Sequence, residues 1–221
     1  MASLSDIQGV RKSLIRKPLA GGVLFAPISA TVPVNWTTES GGIITFNIPA
    51  GHEPVGAISK ENPPTFTPET ETSDVETWGF LEATRTDIIS RNTTVNFVAQ
   101  ETNRKTLELY HNVDLSGVEA DADTGEVQFA DPTAPDIIYH RAAFVSVDGQ
   151  NERAIYIIKY CPNFVITEVG EQSWSSEGAL EYNITGRAKV DETVGYAVKT
   201  IICGPGWLDQ GDDHGFTAAS S

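Results

Sequence analysis

Two cysteines, Cys161 and Cys203, are too few in a chain of 221 residues for a disulfide framework. Both lie in or beside apolar, strand-like runs, where an unpaired cysteine behaves as a small buried hydrophobe, so a reducing compartment is expected. No apolar run approaches the ~18–20 residues of a membrane-spanning helix. Arg11, Lys12, Arg16 and Lys17 interrupt the place where the apolar core of a signal peptide would sit, and no leader is expected. The glycosylation-like triplets at Asn35, Asn92 and Asn183 therefore read as chance. His52, His111, His140 and His214 show no metal-ligand spacing to one another or to the cysteines. Nucleophile elbow, phosphate-binding loop and dinucleotide fingerprint are all missing. Asp121-Ala-Asp123-Thr-Gly125-Glu126 starts like a calcium loop, but Gly125, Glu126 and Pro132 stand where that loop needs Asp or Asn, Gly and Glu. It reads as an acidic turn. Carboxylates are plentiful enough to pair, yet nothing in their spacing points to glycosidase-like chemistry. No catalytic residue, metal or cofactor is expected, and the chain does not read as an enzyme.

Positive charge is the other scarcity: 15 Lys and Arg stand against 30 Asp and Glu, a net charge of −15. The imbalance is uneven, since residues 1–20 sum to +3 and the remainder to −18. An acidic body of that size repels phosphate backbones, which excludes tight or sequence-specific nucleic-acid binding. What is present is core material. Hydrophobic residues make up 40% of the chain, including four Trp, six Tyr and nine Phe, enough for one packed domain of this length. With no internal repeat, the expected organisation is an N-terminal arm (1–30), one domain (31–203) and a C-terminal tail (204–221) that reads as loose from residue 207.

Pro18, Gly21-Gly22 and Pro27 argue against a central strand in the arm. From Thr31 to Ile48 the pattern turns β-like, with a turn at Gly41-Gly42. Pro54 to Ser59 is a candidate strand. Residues 60–77, with Pro63, Pro64 and Pro68 and four acids from Glu69 to Glu76, read as a long loop, and loops of that length are usually functional or disordered. Phe66 and Trp78 argue for order. Trp78–Ser90 and Thr93–Glu101 read as an antiparallel pair turning at Arg91-Asn92, with Val95, Phe97 and Ala99 on one face. Asn103–Tyr110 reads as a short helix capped by Thr102 and ended by Asn112. Residues 113–136 are acidic and irregular. Ile137–Val147 and Arg153–Tyr160 form a hairpin across Asp148-Gly149. Phe164–Gly170 follows as a strand. Leu180–Val190 alternates cleanly, and Thr193–Cys203 closes the series before Gly204-Pro205-Gly206.

The order of features from Val55 onward resembles the major tail tube proteins of long, non-contractile-tailed bacteriophages. The residues that carry the likeness are Gly56-Ala-Ile58-Ser59, Thr65-Phe66-Thr67-Pro68-Glu69-Thr-Glu71-Thr, Asp74-Val75 and Trp78-Gly79, then the strands and helix to Tyr110. Arg141–Val147, Ile155–Tyr160 and Val165–Glu171 fit the family's later part more loosely. Lys60–Pro64 lacks the family's glycine turn, and residues 36–50 depart from it. The resemblance implies a mainly β fold, a sandwich or barrel with one short flanking helix, a long N-terminal arm and a long stacking loop. It further implies a structural virion protein, made in the host cytoplasm, whose hexameric rings stack into a tail tube that delivers the genome. Implied partners are other copies of the chain, a tape measure protein, tail terminator and distal tail proteins, and duplex DNA passing without specific binding. Implied ring-stacking residues are Arg11, Lys12, Arg16 and Lys17 in the arm, and Phe66, Glu69, Glu71, Asp74 and Trp78 in the loop. Glu82, Asp87, Glu168 and Glu171 are candidates to face the lumen. A competing reading is a monomeric β-sandwich module for carbohydrate binding or adhesion, which needs an exposed aromatic platform at Trp36, Trp174 or Trp207.

Overall fold

The computed structural model describes residues 7–134 and 136–217; residues 1–6 of the expected arm and 218–221 of the expected tail lie outside the described residues. The strands are β1 (Ala20–Pro27), β2 (Thr37–Ser40), β3 (Ile43–Phe46), β4 (Glu53–Pro54), β5 (Thr65–Val75), β6 (Arg85–Ala99), β7 (Tyr139–Asp148), β8 (Ile155–Val169), β9 (Tyr182–Lys189) and β10 (Lys199–Cys203). The helices are α1 (Arg104–His111) and α2 (Pro205–Leu208). One antiparallel sheet runs β4-β1-β7-β8-β9-β6-β5, with β10 paired to the first half of β8, while β2 and β3 form a separate hairpin. The mainly β class expected from the sequence is the class observed.

Strand β8 is the spine. Along one side it pairs with β7 from Ile155 to Val165, and along the other it pairs first with β10 and then with β9. Pro162, which has no N–H to give a ladder, sits where the β7–β8 register slips between His140 and Ala142. The sheet folds over itself at this spine. Phe25 of β1 therefore lies 6.0 Å from Phe97 of β6, and Phe144 of β7 lies 5.8 Å from Phe164 of β8. These rings, with Val23, Val95 and Ile184, form the main core. The opposite faces of β1, β7 and β8 present Leu24, Ala143, Ile158 and Tyr160 to a second, smaller core. The β2–β3 hairpin caps that core, with Trp36 5.6 Å from Tyr160 and Phe46 stacked 4.6 Å from Tyr156. Arg141 ties the loops to the spine: it donates to the carbonyls of Ala30 and Pro162 and pairs with Asp191 at 3.2 Å.

Several expectations are corrected. Residues 20–27 are a strand between β4 and β7, and Phe25 is fully buried. The glycines that argued against a strand are what admit it, because a Cβ on Gly21 would lie 2.4 Å from the Val145 carbonyl oxygen. The run from Thr31 begins as irregular chain, and only Thr37–Ser40 and Ile43–Phe46 pair. Pro54–Ser59 contributes only Pro54 to the two-residue β4, and an isolated bridge from Ile58 to Ala99. The long loop 60–77 is chiefly β5, where Pro68 is tolerated because β5 is an edge strand. No turn occurs at Arg91-Asn92: β6 runs unbroken from Arg85 to Ala99, and the reversal lies at 76–84. The separate strand at Phe164 is the second half of β8. Asn103 caps α1 in place of Thr102, accepting from the Thr106 N–H at 2.9 Å, whereas Thr102 bonds the Tyr182 hydroxyl. Asn112 ends α1 in the left-handed conformation, as expected. The tail at 204–217 is not loose: α2 and a 3-10 turn at Gly211–His214 pack onto the chain.

Candidate assembly surfaces

Three features stand clear of the core, and their positions follow from strand direction. Both β6 and β8 are antiparallel to β9, so they run the same way. Arg85 and Ile155 therefore mark one end of the sheet, and Ala99 and Val169 the other.

The first feature is the distal part of the β5–β6 ribbon. Only residues 93–99 of β6 pair with β9, so from Asn92 outward the ribbon has no third strand. That leaves eight residues of β6 plus the turn projecting, a reach of roughly 25 Å at the usual rise per residue. Glu69, Glu71 and Asp74 are exposed along it; Ser90 donates to Glu71 at 3.1 Å and Thr86 to Asp74 at 2.6 Å. Its tip is apolar. Trp78 and Leu81 are wholly exposed, with Phe80 at 69% and Ile88 at 69% beside them. Phe66 is at the ribbon's root and turns into the main core, not outward. Sequence reasoning singled out Trp78 but missed Phe80, Leu81 and Ile88; the signal was an apolar run beside a glycine inside an otherwise acidic stretch.

The second feature is the arm, at the same end of the sheet. The Leu19 N–H donates to Val147, and Arg16 lies 3.9 Å from Asp148, in the β7–β8 turn. Arg16 also bonds Gln210 and rests over the Trp207 ring at 5.8 Å, while Arg11 donates to the Asp213 carbonyl. Trp207 stacks in turn on His214 at 4.3 Å. Arm and C-terminal segment thus clasp each other, occupying Arg11 and Arg16. Lys12 and Lys17 are exposed, and so are Ile7, Val10, Ile15 and Leu19, between 61% and 75%.

The third feature lies at the opposite end. Glu168 stands near the end of β8, and the loop that follows carries Glu171, Glu177 and Glu181 and no Lys or Arg, with Trp174 projecting from it, 87% exposed. A shallow groove of about 360 Å³ is lined by Ser173, Trp174, Ser175 and Leu180. The acidic stretch 113–136 reaches the same end through α1. There the Tyr110 hydroxyl donates to Gly170 at 2.7 Å, His111 contacts Asp131 at 2.8 Å, and Asn112 donates to Asp136 at 3.1 Å. Within that stretch Asp121 accepts from the Asp123 and Thr124 N–H groups, which is the acidic turn expected.

The four lumen candidates are not brought together. Glu82 and Asp87 are on the projecting ribbon, Asp87 paired with Arg85 at 2.8 Å, and Glu168 and Glu171 are at the other end of β8. Of the proposed aromatic platform, Trp36 is buried at 4% exposure and Trp207 is covered by Arg16 and His214, so Trp174 alone stands free of aromatic neighbours among the described residues. Burial pushes the Cys161 thiol up to about 12 and Cys203 to about 11, which makes both poor nucleophiles.

The family described as "Phage tail tube protein" matches residues 8–193. Among solved structures, a chain of the virion of a native gene transfer agent particle is similar at 12% identity and a TM-score of 0.37, over 74% of this chain and 99% of that one. No curated protein matches the chain.

Proposed function

Since the chain belongs to the phage tail tube protein family, whose members are structural proteins of the virion and not enzymes, we propose that it forms hexameric rings that stack into the tube of a long, non-contractile tail. The observation that carries this reading is the projecting β5–β6 ribbon. A two-stranded ribbon is marginal in water, and one ending in Trp78, Phe80 and Leu81 is a solubility hazard unless another chain covers it. Neighbouring copies supply that cover. The ring-stacking elements are the arm, with Arg11, Lys12, Arg16 and Lys17, and the ribbon, with Phe66 as its anchor and Glu69, Glu71, Asp74 and Trp78 along it.

The tube delivers the genome, and net charge governs how. Each copy contributes −15, so duplex DNA passes an acidic wall instead of binding it by counterion release. Glu82, Asp87, Glu168 and Glu171 are the proposed lumen-facing residues. A tape measure protein fills the bore before ejection, and terminator and distal tail proteins close the ends.

Electron microscopy of the concentrated, purified protein by negative stain tests this. Rings or tubes are expected; a protein that stays monomeric at every concentration and salt refutes the reading. Reversing the four arm charges is expected to weaken assembly at low salt, where exposed ion pairs are least screened.

A further inference from the structure

Resting on that tube reading, we infer that the groove at Trp174 and Leu180 is the receptor for the N-terminal arm of a second copy stacked head to tail. The two surfaces match in kind. The arm offers apolar side chains (Val10, Ile15, Leu19) interleaved with the exposed Lys12 and Lys17. The receptor offers an exposed indole and the Leu180 side chain over about 360 Å³, on a loop that also carries the exposed Glu171 and Glu177. Opposite charges steer the approach, and burial of the apolar groups supplies the affinity.

They cannot meet within one chain. The arm is fixed at the Asp148–Ile155 end of β8 and the groove follows its Val169 end. Fourteen residue steps of strand separate them, a contour of roughly 45 Å. The clasp through Arg16, Asp148 and Gln210 keeps the arm's base at its own end. Two different patches at opposite ends of one molecule make a heterologous contact, which propagates as an open filament and does not stop at a dimer. The same reading explains why the groove lies on a loop whose Glu171 and Glu177 pair with no cation among the described residues: the groups that neutralise them arrive with the next copy.

Cysteine cross-linking of assembled protein tests the contact, in a Cys203→Ser background that leaves the buried Cys161 in place. Val10→Cys combined with Ser175→Cys is expected to give, on mild oxidation of tubes, a disulfide ladder extending past the copy number of one ring. Either single variant gives no ladder. A ladder from Leu81→Cys with Ser175→Cys, and none from the first pair, assigns the groove to the ribbon tip and overturns the inference. So does a ladder that stops at one ring, which places the contact between lateral neighbours. Charge exchange is the second arm. Lys12→Glu with Lys17→Glu loses assembly at low salt, and adding Glu171→Lys with Glu177→Lys restores it; failure to restore also overturns the inference. If the unaltered protein forms no tubes, the tube reading itself fails, and this inference with it.

Discussion

Phe66 meets Phe144 edge to face, with ring centroids 5.2 Å apart and planes at 89°. Phe66 is near the start of β5, at the edge of the sheet, and Phe144 is in the middle of β7, with three strands (β8, β9 and β6) between them in the pairing order. The contact crosses the folded sheet and fixes the root of a ribbon whose outer part pairs with no third strand among the described residues. Phe66→Ala is therefore expected to cost roughly 2–3 kcal/mol, less than a fully buried Phe because the ring is half-buried. Denaturant unfolding measures it, and amide exchange should show protection lost first along β5.

The ribbon tip is expected to behave in the opposite way. Replacing Trp78, Phe80 and Leu81 by Ser removes side chains that are exposed in the single chain, so stability changes by no more than about 0.5 kcal/mol. Assembly is lost. Thermal unfolding alongside sedimentation distinguishes this from a folding defect, which would lower both together.

Gly21→Ala puts a methyl group against the Val145 carbonyl in the β1–β7 ladder. Neither strand can yield without disturbing Phe25 or Phe144, so a loss on the order of 2 kcal/mol is expected. Gly22→Ala, one residue along and facing open space, serves as the control. Equal effects in the two variants contradict the close approach.

His140 gives the fold a pH dependence. Its Nε2 is buried without a hydrogen-bond partner among the described residues, and the ring packs edge-on against Phe25 at 5.7 Å. Burial, with a smaller contribution from Lys105, pushes its pKa from 6.5 down to about 4. The unfolded chain takes up the proton first as pH falls. Stability is thus full above about 6.5 and is lost progressively toward pH 4, by about 3 kcal/mol at roughly 1.4 kcal/mol per pH unit. His140→Phe is expected to flatten that slope in denaturant titrations across the range. His52, whose pKa burial also lowers, leaves a residual slope.

Local pattern carried a good part of the architecture. The alternation of Leu180–Val190 put Tyr182, Ile184 and Ala188 on one face, and the structure has them buried with Arg187 and Lys189 exposed, while Val190 at the end of the run is exposed instead of following that face. Asp148-Gly149 marked a hairpin turn and Asn112 a helix end, because each position demands backbone that few residues adopt. The order of motifs from Gly56 to Tyr110 pointed to the family that matches residues 8–193. Misreadings arose where one residue's local preference was overruled from a distance. Prolines and glycines in β1 and β5 suggested breaks, but Pro68 sits on an edge and Gly21 under a neighbouring strand.

What the sequence determined by itself was class and charge: a mainly β protein, acidic in body and basic in its arm, since these depend on composition and on short-range periodicity. Which residues are left for a partner was decided only by tertiary structure. Trp36 and Trp174 look alike in sequence, yet one is covered by the β2–β3 hairpin and the other left bare by a loop. Arg16 and Lys17 are neighbours, yet one is held by Asp148 and Gln210 and the other is exposed. Exposure is a property of what the rest of the chain covers, and that depends on contacts between residues far apart in sequence, which no local pattern records.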